Sequence, residues 1–560
     1  MKDSTVVSGL KRVVKHRVFL PVLSFLVLIG VFLFSSQFTA RPPVIEGIAP
    51  AVGNPGSVMV ISGKNFGETR QGGEVTVAGA RLTSSSYREW SDERISIRVP
   101  DNVGSGQVFV TTRVGQSNGV LFTNRQHIPV VLSGPLKPGY PYISSIDPKV
   151  GTVGTLVTIS GLNFGFERGA GRVYFTATGT SDESRQDGTD VLSYSIADLD
   201  EDFDCESWTD QEIQVYVPDG SESGNLRVKT DRGLSNTVYF EVTGMPGTKL
   251  FADSRGYQIS YSVEIRNVEA EEKNSLDVWF PDIYRGLRQR NVEVLHEPEP
   301  LWKDVGNFQR YRFENLQTGE DVDIRATAWF ERYTLETTIN VPKVTERYNT
   351  ERLLFKTYTA PDRLIPSDNA VLRQDAAEAV GRERNPYLKA RKLYNHLLET
   401  MDFSRTPVSR DPLTSFQEGE GDAYSISVLF TALLRSQGIP ARLISGYLVY
   451  GDKMAVKHYW SEFFLENFGW VPVDPVLGDG VQYGNFPDPA VIDPATYYFG
   501  NLDNRHISFS RGISEIKPAG VNNNHTYRER MYSLQTIHEE YMGIRSYDAF
   551  YRDISIIEWW

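Results

Sequence analysis

Chemistry in this chain would concentrate at three positions: Ala423, His458 and Asp474. Thiol-dependent acyl transfer needs a cysteine at a helix N-terminus, where the peptide dipoles favour the thiolate. It also needs a histidine on a neighbouring strand as base, and a third group to orient that imidazole. Residues 411–450 read as a polar, glycine-containing loop entering a helix near Ala423, with Leu429, Phe430, Leu433 and Leu434 as its buried stripe and Gly438 as its stop. Two strands follow, at 457–464 and 469–475, carrying His458 and Asp474. Side chains two apart on a strand share a face, so His458 and Trp460 point together. Trp460, Asp422 and Tyr424 are the candidate cleft residues. The head of the helix, however, holds alanine, and a methyl group attacks nothing. Loss of the nucleophile costs about 10⁶ in kcat in a serine protease.

Three further runs fix the order and spacing: Gly438-Ile439-Pro440-Ala441-Arg442, His458-Tyr459-Trp460-Ser461-Glu462 and Gly469-Trp470-Val471-Pro472-Val473-Asp474-Pro475. Over about residues 385–480 they resemble the transglutaminase-like (papain-like) superfamily, whose pattern runs G-x-C, an apolar helix to G-I-P-A-R, then H-x-W-x-E and G-W-x-x-x-D-P. The resemblance implies an α+β fold and a Cys, His, Asp triad, with His458 as base and Asp474 as orienting group. Ala423, within Gly421-Asp422-Ala423, stands where the thiol would be. Three readings follow. The chain is a catalytically silent pseudoenzyme that binds peptide or protein in its cleft; or it is a Cys-to-Ala inactivated form of a thiol amidase, peptidase or transglutaminase; or Ser425 or Ser427 replaces the thiol, although each sits on another face or turn of the helix. The single cysteine, Cys205, lies two domains away and allows neither a disulfide framework nor a cysteine-based zinc site. No cofactor or metal is implied, and His506 and His525 lack metal-ligand spacing.

Helices must carry this constellation. Ser367 or Asp368 can cap a helix reaching Val380, and Asn385-Pro386 opens another whose apolar face is Leu393, Leu397 and Leu398. Upstream the sequence duplicates itself. Ile48-Ala49-Pro50-Ala51-Val52-Gly53 returns as Ile146-Asp147-Pro148-Lys149-Val150-Gly151, and Ile61-Ser62-Gly63-Lys64-Asn65-Phe66-Gly67 as Ile159-Ser160-Gly161-Leu162-Asn163-Phe164-Gly165. Trp90-Ser91-Asp92 and Trp208-Thr209-Asp210 also correspond, as do Ser117-Asn118 and Ser235-Asn236. Those later pairs lie 118 rather than 98 residues apart, so the second copy holds a 20-residue insertion. Its acidic stretch near Asp198 to Asp204 is expected to be a surface loop. Short alternating strands broken by Gly and Asn predict small β-sandwiches at 43–124 and 141–243. These resemble IPT/TIG domains, which implies immunoglobulin-like spacer or binding modules.

A further β-sandwich is expected over 247–345, where Tyr257, Ile259, Tyr261, Val263 and Ile265 alternate, as do Ile324, Ala326, Ala328 and Phe330. The transglutaminase-like domain then spans 350–510, and 511–560 is expected to pack on its core. The whole is therefore multidomain: all-β Ig-like sandwiches, then an α+β domain. At the N-terminus, Lys11, Arg12, Lys15 and Arg17 precede an apolar run over 18–38 that is long enough to cross a bilayer. The basic flank places the N-terminus in the cytoplasm and the bulk outside, in a bacterial envelope, either through a signal anchor or after a cleaved signal. The composition is ordinary for globular domains, with 40% hydrophobic and 23% charged residues. A net charge of −13 argues against a nucleic-acid partner.

Overall fold

The duplicated motifs build the same contacts twice. The computed structural model describes residues 41–560 except 54–55, 71, 101–102, 125–138, 178–194, 198, 306, 488–492 and 518–525, together with Pro21, Ser24, Phe25 and Val27. The chain divides into two units, 1–131 and 132–560. In the first, strand Val44–Ala49 pairs with Val58–Lys64, placing Ile45 opposite Gly63. In the second, Tyr142–Asp147 pairs with Leu156–Leu162, placing Ile143 opposite Gly161. A Cβ on either glycine would lie 2.1 Å from a carbonyl oxygen of the facing strand, so only glycine fits. The Asn118 amide closes a two-way bond with the Ile45 backbone (2.9 Å each way), as Asn236 does with Ile143 (2.7 and 3.0 Å). The indoles of Trp90 and Trp208 donate to Phe66 O and Phe164 O at 3.1 Å. Each repeat is a two-sheet sandwich around its own apolar core.

The stretch 247–345 shares one continuous hydrogen-bonded sheet with the C-terminal strands. Strand β1 (Gly247–Pro281) runs 35 residues and pairs along 247–265 with β2 (Val322–Ile339). Tyr257, Ile259, Tyr261 and Val263 meet Phe330, Ala328, Ala326 and Ile324 on one buried face. The other half of β1 pairs with Phe308–Glu314. The two halves of this strand face each other across one apolar core: the Tyr261 and Phe280 rings stack with centroids 5.2 Å apart, and residues of both halves belong to the same buried cluster.

The C-terminal extension departs from expectation. Residues 514–559 supply strands to this β-rich sheet, and do not pack only on the α+β domain. Gln535–Tyr551 pairs with β1 from Val263 to Asp277, and Ser555–Trp559 pairs with it from Tyr257 to Ser260. The apolar end of the chain is thus an edge strand with Ile556 buried.

The α+β domain places α1 (Ala370–Val380), α2 (Pro386–Thr400) and α3 (Ala423–Ser436) against a four-stranded antiparallel sheet. The sheet comprises β3 (Ala441–Val449), β4 (Ala455–Leu465), β5 (Gly469–Val473) and β6 (His506–Arg511), in the order β5-β4-β3-β6. The α1 cap is Asn369, whose side chain accepts from Val371 N and Leu372 N; neither Ser367 nor Asp368 caps it. Asn385 caps α2 as its sequence requires. Helix α3 is buried nearly all round, wider than a single stripe, because α1, α2 and the sheet enclose it.

Among the described residues no helix is long and apolar enough to cross a membrane. Apart from the four isolated positions named above, the segment 18–38 lies outside the described residues, as do His525 and most of the linker at 125–140.

The acidic stretch expected to be a surface loop is divided: the Asp200 side chain is 60% exposed, but the residues after it turn inward. Asp202 and Asp204 are buried. Asp202 pairs with Arg442 of the G-I-P-A-R run, and Asp204 Oδ1 lies 2.9 Å from Arg352 Nη2. Arg442 is fully buried, stacks 3.7 Å over the Trp470 ring and also reaches Glu462 Oε2 at 3.1 Å. These pairs, with Thr152 Oγ1 donating to Asn467 O at 2.9 Å and Trp470 N donating to Asp219 Oδ2 at 3.2 Å, fasten the second repeat to the α+β domain.

Candidate active-site cleft

Helix α3 starts in a capping box. The Asp422 side chain accepts from Ser425 N at 2.9 Å, and Asp422 N donates to Ser425 Oγ at 3.0 Å. Ala423 is the first helical residue. One turn on, Ser427 Oγ donates to Tyr459 O at 3.0 Å, and one turn further Thr431 Oγ1 lies 2.9 Å from Ser461 Oγ. Each helical turn thus advances two residues along β4. One turn back, the same register sets Ala423 level with Lys457. Ala423 and Lys457 line one cleft of about 450 Å³. Asp422 and Tyr424 line it too, with Arg405, Arg410 and Tyr483.

His458 is fully buried. It holds Asp474 through Nε2, 2.6 Å from Oδ2, and its Nδ1 has no hydrogen-bond partner among the described residues. Asp474 Oδ1 accepts from Val476 N at 3.0 Å and Leu477 N at 2.9 Å, capping the short helix Pro475–Gly478. Its carboxylate is thereby fixed from both oxygens. Burial acts to raise its pKa, but the His458 charge and the bonds from two imidazoles outweigh burial and hold it well below 3.8.

The second imidazole belongs to His506, which sequence spacing had set aside. Its Nε2 lies 3.0 Å from Asp474 Oδ2, and its Nδ1 lies 2.9 Å from Asp503 Oδ1. Tyr498 donates to Asp503 Oδ2 at 2.9 Å. Burial opposes the His506 charge, but Asp503 and Asp474 raise its pKa above 6.5. The result is a buried relay running His458, Asp474, His506, Asp503, Tyr498. The only sequence signal was Asp503 three residues before His506; the pairing of β6 with β3, which sets Leu448 opposite His506, has no local signature.

His458, Asp474 and His506 present ligand atoms within 4.8 Å of one another, a donor set that suits zinc. Two ligands on one tetrahedral zinc stand about 3.3 Å apart, given bonds near 2.0 Å. The contacts of 2.6 and 3.0 Å are shorter and fit shared protons.

Trp460 does not line the cleft. It is fully buried in a separate cluster with Ile444, Leu448, Leu477 and Tyr498. Its ring stacks on His458 with centroids 6.3 Å apart, so the two do share a face of β4, but that face turns inward. The cleft walls are instead Tyr424 and Tyr459, edge to face at 5.2 Å, and Tyr483, with Arg405 over its ring at 5.2 Å. Ser425 and Ser427 are fully buried and committed to Asp422 and Tyr459, so neither hydroxyl stands in for a thiol.

A profile of the transglutaminase-like superfamily matches residues 373–475, and the IPT/TIG domain profile matches 43–124 and 141–242. The chain thus carries two IPT/TIG domains followed by a transglutaminase-like core domain. Among curated proteins it is 32% identical over 87 residues to a cyclomaltodextrin glucanotransferase of Paenibacillus macerans, covering 15% of this chain and 12% of that enzyme. It is 25% identical over 171 residues to an uncharacterised protein of Haemophilus influenzae, covering 25% of this chain and 46% of that protein. The chain therefore spans less than half the length of either relative. Among solved structures, a protein assigned as a cysteine protease from Cytophaga hutchinsonii aligns with 14% identity and TM-score 0.36, over 56% of this chain and 92% of that one. The periplasmic domain of TgpA from Pseudomonas aeruginosa aligns with 13% identity and TM-score 0.23, over 46% and 99%.

Proposed function

We propose that this chain, with two IPT/TIG domains and a transglutaminase-like domain, is a catalytically silent binding module held outside the cytoplasm by its N-terminal apolar segment. The observation that carries this reading is the Ala423 methyl lining the cleft at the helix head, where a nucleophile would act. The cleft keeps what a peptide or protein segment needs. Tyr424, Tyr459 and Tyr483 offer broad apolar faces with polar tips, and Arg405 and Arg410 offer forked donors. Arg410 Nε is anchored 2.6 Å from Asp422 Oδ2. The anchoring role of residues 18–38 rests on their length, apolarity and basic flank.

One observation favours a second reading, an inactivated thiol amidase, peptidase or transglutaminase: the His–Asp pair is intact and His458 Nδ1 is buried without a partner among the described residues. The two readings separate on the Ala423→Cys variant, labelled with iodoacetamide across pH. The binding-module reading predicts a thiol lowered at most by the helix dipole, whose reactivity is unchanged in Ala423→Cys/His458→Ala. A thiolate that loses its reactivity in Ala423→Cys/His458→Ala would sink it in favour of the second.

A further inference from the structure

A second cavity, of about 370 Å³, lies where the second IPT/TIG domain, the β-rich domain and the α+β domain meet. Two arginines face it, Arg288 just before strand Gln289–Glu297 and Arg332 on β2. Both are more than nine-tenths buried: Arg332 is 1% exposed and Arg288 8%. Arg332 Nε and Nη2, and Arg288 Nη1, have no hydrogen-bond partner among the described residues. Fully buried guanidinium groups are otherwise found paired, because five fixed donors and a permanent charge are withdrawn from water.

The nearby carboxylates are already engaged. Glu462 Oε2 serves both Arg442 and Arg511 at 3.1 Å, while its Oε1 is 4.0 Å from Arg288 Nη2. Asp202 is held by Arg442, Asp219 by Lys249, and Asp503 by His506, Tyr498 and Arg505 N. Burial lowers the pKa of both arginines, and the Arg288 charge lowers that of Arg332 further, the signature of cations facing each other without enough counter-charge. Hydrogen bonds tie the segment that carries Arg288. Tyr333 N donates to Arg288 O at 2.9 Å, and Gln289 Nε2 donates to Tyr284 O and to Ser508 O. Leu287, Phe251 and Leu335 complete the wall with apolar surface.

We propose that this inter-domain cavity binds a small molecule bearing an oxyanion, a phosphate or a carboxylate, clamped between Arg288 and Arg332 with its carbon portion against Leu287, Phe251 and Leu335. Two forked donors converging from adjacent strands match the oxygens of either group. The site is independent of the Ala423 cleft and needs no covalent step. Because three domains form its walls, a bound anion would hold them together and raise the melting temperature by mass action.

The test titrates the full chain calorimetrically with sodium phosphate and, in a second arm, with sodium succinate, ionic strength being held constant with sodium chloride. Saturable binding of one anion per chain is expected in at least one arm, and the tighter arm identifies the oxyanion. Arg332→Met and Arg288→Met should each weaken that binding by about tenfold or more. Without anion, Arg332→Met should melt no lower than the parent, since the change removes an unpaired cation; a purely structural arginine would lower the melting temperature. Absence of saturable binding in both arms overturns the proposal on the parent chain alone. So does binding that is unchanged in whichever of the two variants folds.

Discussion

The carboxylate of Asp474 accepts four hydrogen bonds in full burial, two from backbone amides and two facing imidazoles. Such a group is stabilising only while it is charged and its partners hold protons. For Asp474 and Asp503, whose pKa values are depressed in the fold, the contribution is complete above 3.8 and is lost as pH falls through the folded value. For His506, raised in the fold, it is complete below 6.5 and is lost as pH rises through the folded value. The cluster is therefore most stabilising between 3.8 and 6.5. His506→Gln should destabilise the protein by about 3 kcal/mol within that window, with a deficit that shrinks as pH climbs above it. Urea titrations at several pH values check this; a deficit independent of pH would deny His506 its charge. The role of His506 was not readable locally, since Asp503 lies three residues before it but Asp474, the partner that joins it to His458, lies 32 residues away, just after β5. Trp460 was assigned to the right face of β4 and the wrong environment, because alternation fixes which side chains travel together but not whether their face turns to solvent or to the core.

At the scale of elements, the sheet depends on one close approach. Gly446 on β3 lies opposite His458 on one side and Ser508 on the other. A Cβ there would sit 1.8 Å from Ile507 O. Gly446→Ala should push β6 from β3, withdraw His506 from Asp474 and cost about 3 kcal/mol or more. Gly47→Ala, where a Cβ meets nothing within 4 Å, should change stability by no more than about 0.5 kcal/mol. Comparable urea midpoints for the two variants would contradict this account of the sheet. Helices α2 and α3 were legible because their caps, proline and apolar spacing are local; the sheet order and the returning C-terminal strands were not, since strand partners up to 302 residues apart leave no periodic trace (Tyr257 and Trp559).

Across the whole molecule, the repeat was legible and the docking role of its acidic stretch was not. An acidic run reads as solvated unless its cations are known, and the partners of Asp202 and Asp204 come from Arg442 and Arg352 in a different domain. Asp202→Ala should destabilise the protein by about 3–5 kcal/mol, because it leaves Arg442 short of a counter-charge in full burial. Asp200→Ala, which removes exposed pairs with Arg168 and Arg172, should cost about 1 kcal/mol or less, read from the same denaturant curves. Equal losses would mean that Asp202 does not dock the domain. The central claim, an assembled His–Asp pair facing no nucleophile, is tested most directly by assaying the unaltered chain for ammonia release and amine incorporation on a glutamine-containing peptide, beside His458→Ala. The account predicts that neither protein exceeds the buffer rate. Enzyme-like turnover by the unaltered chain, abolished in His458→Ala, would contradict it.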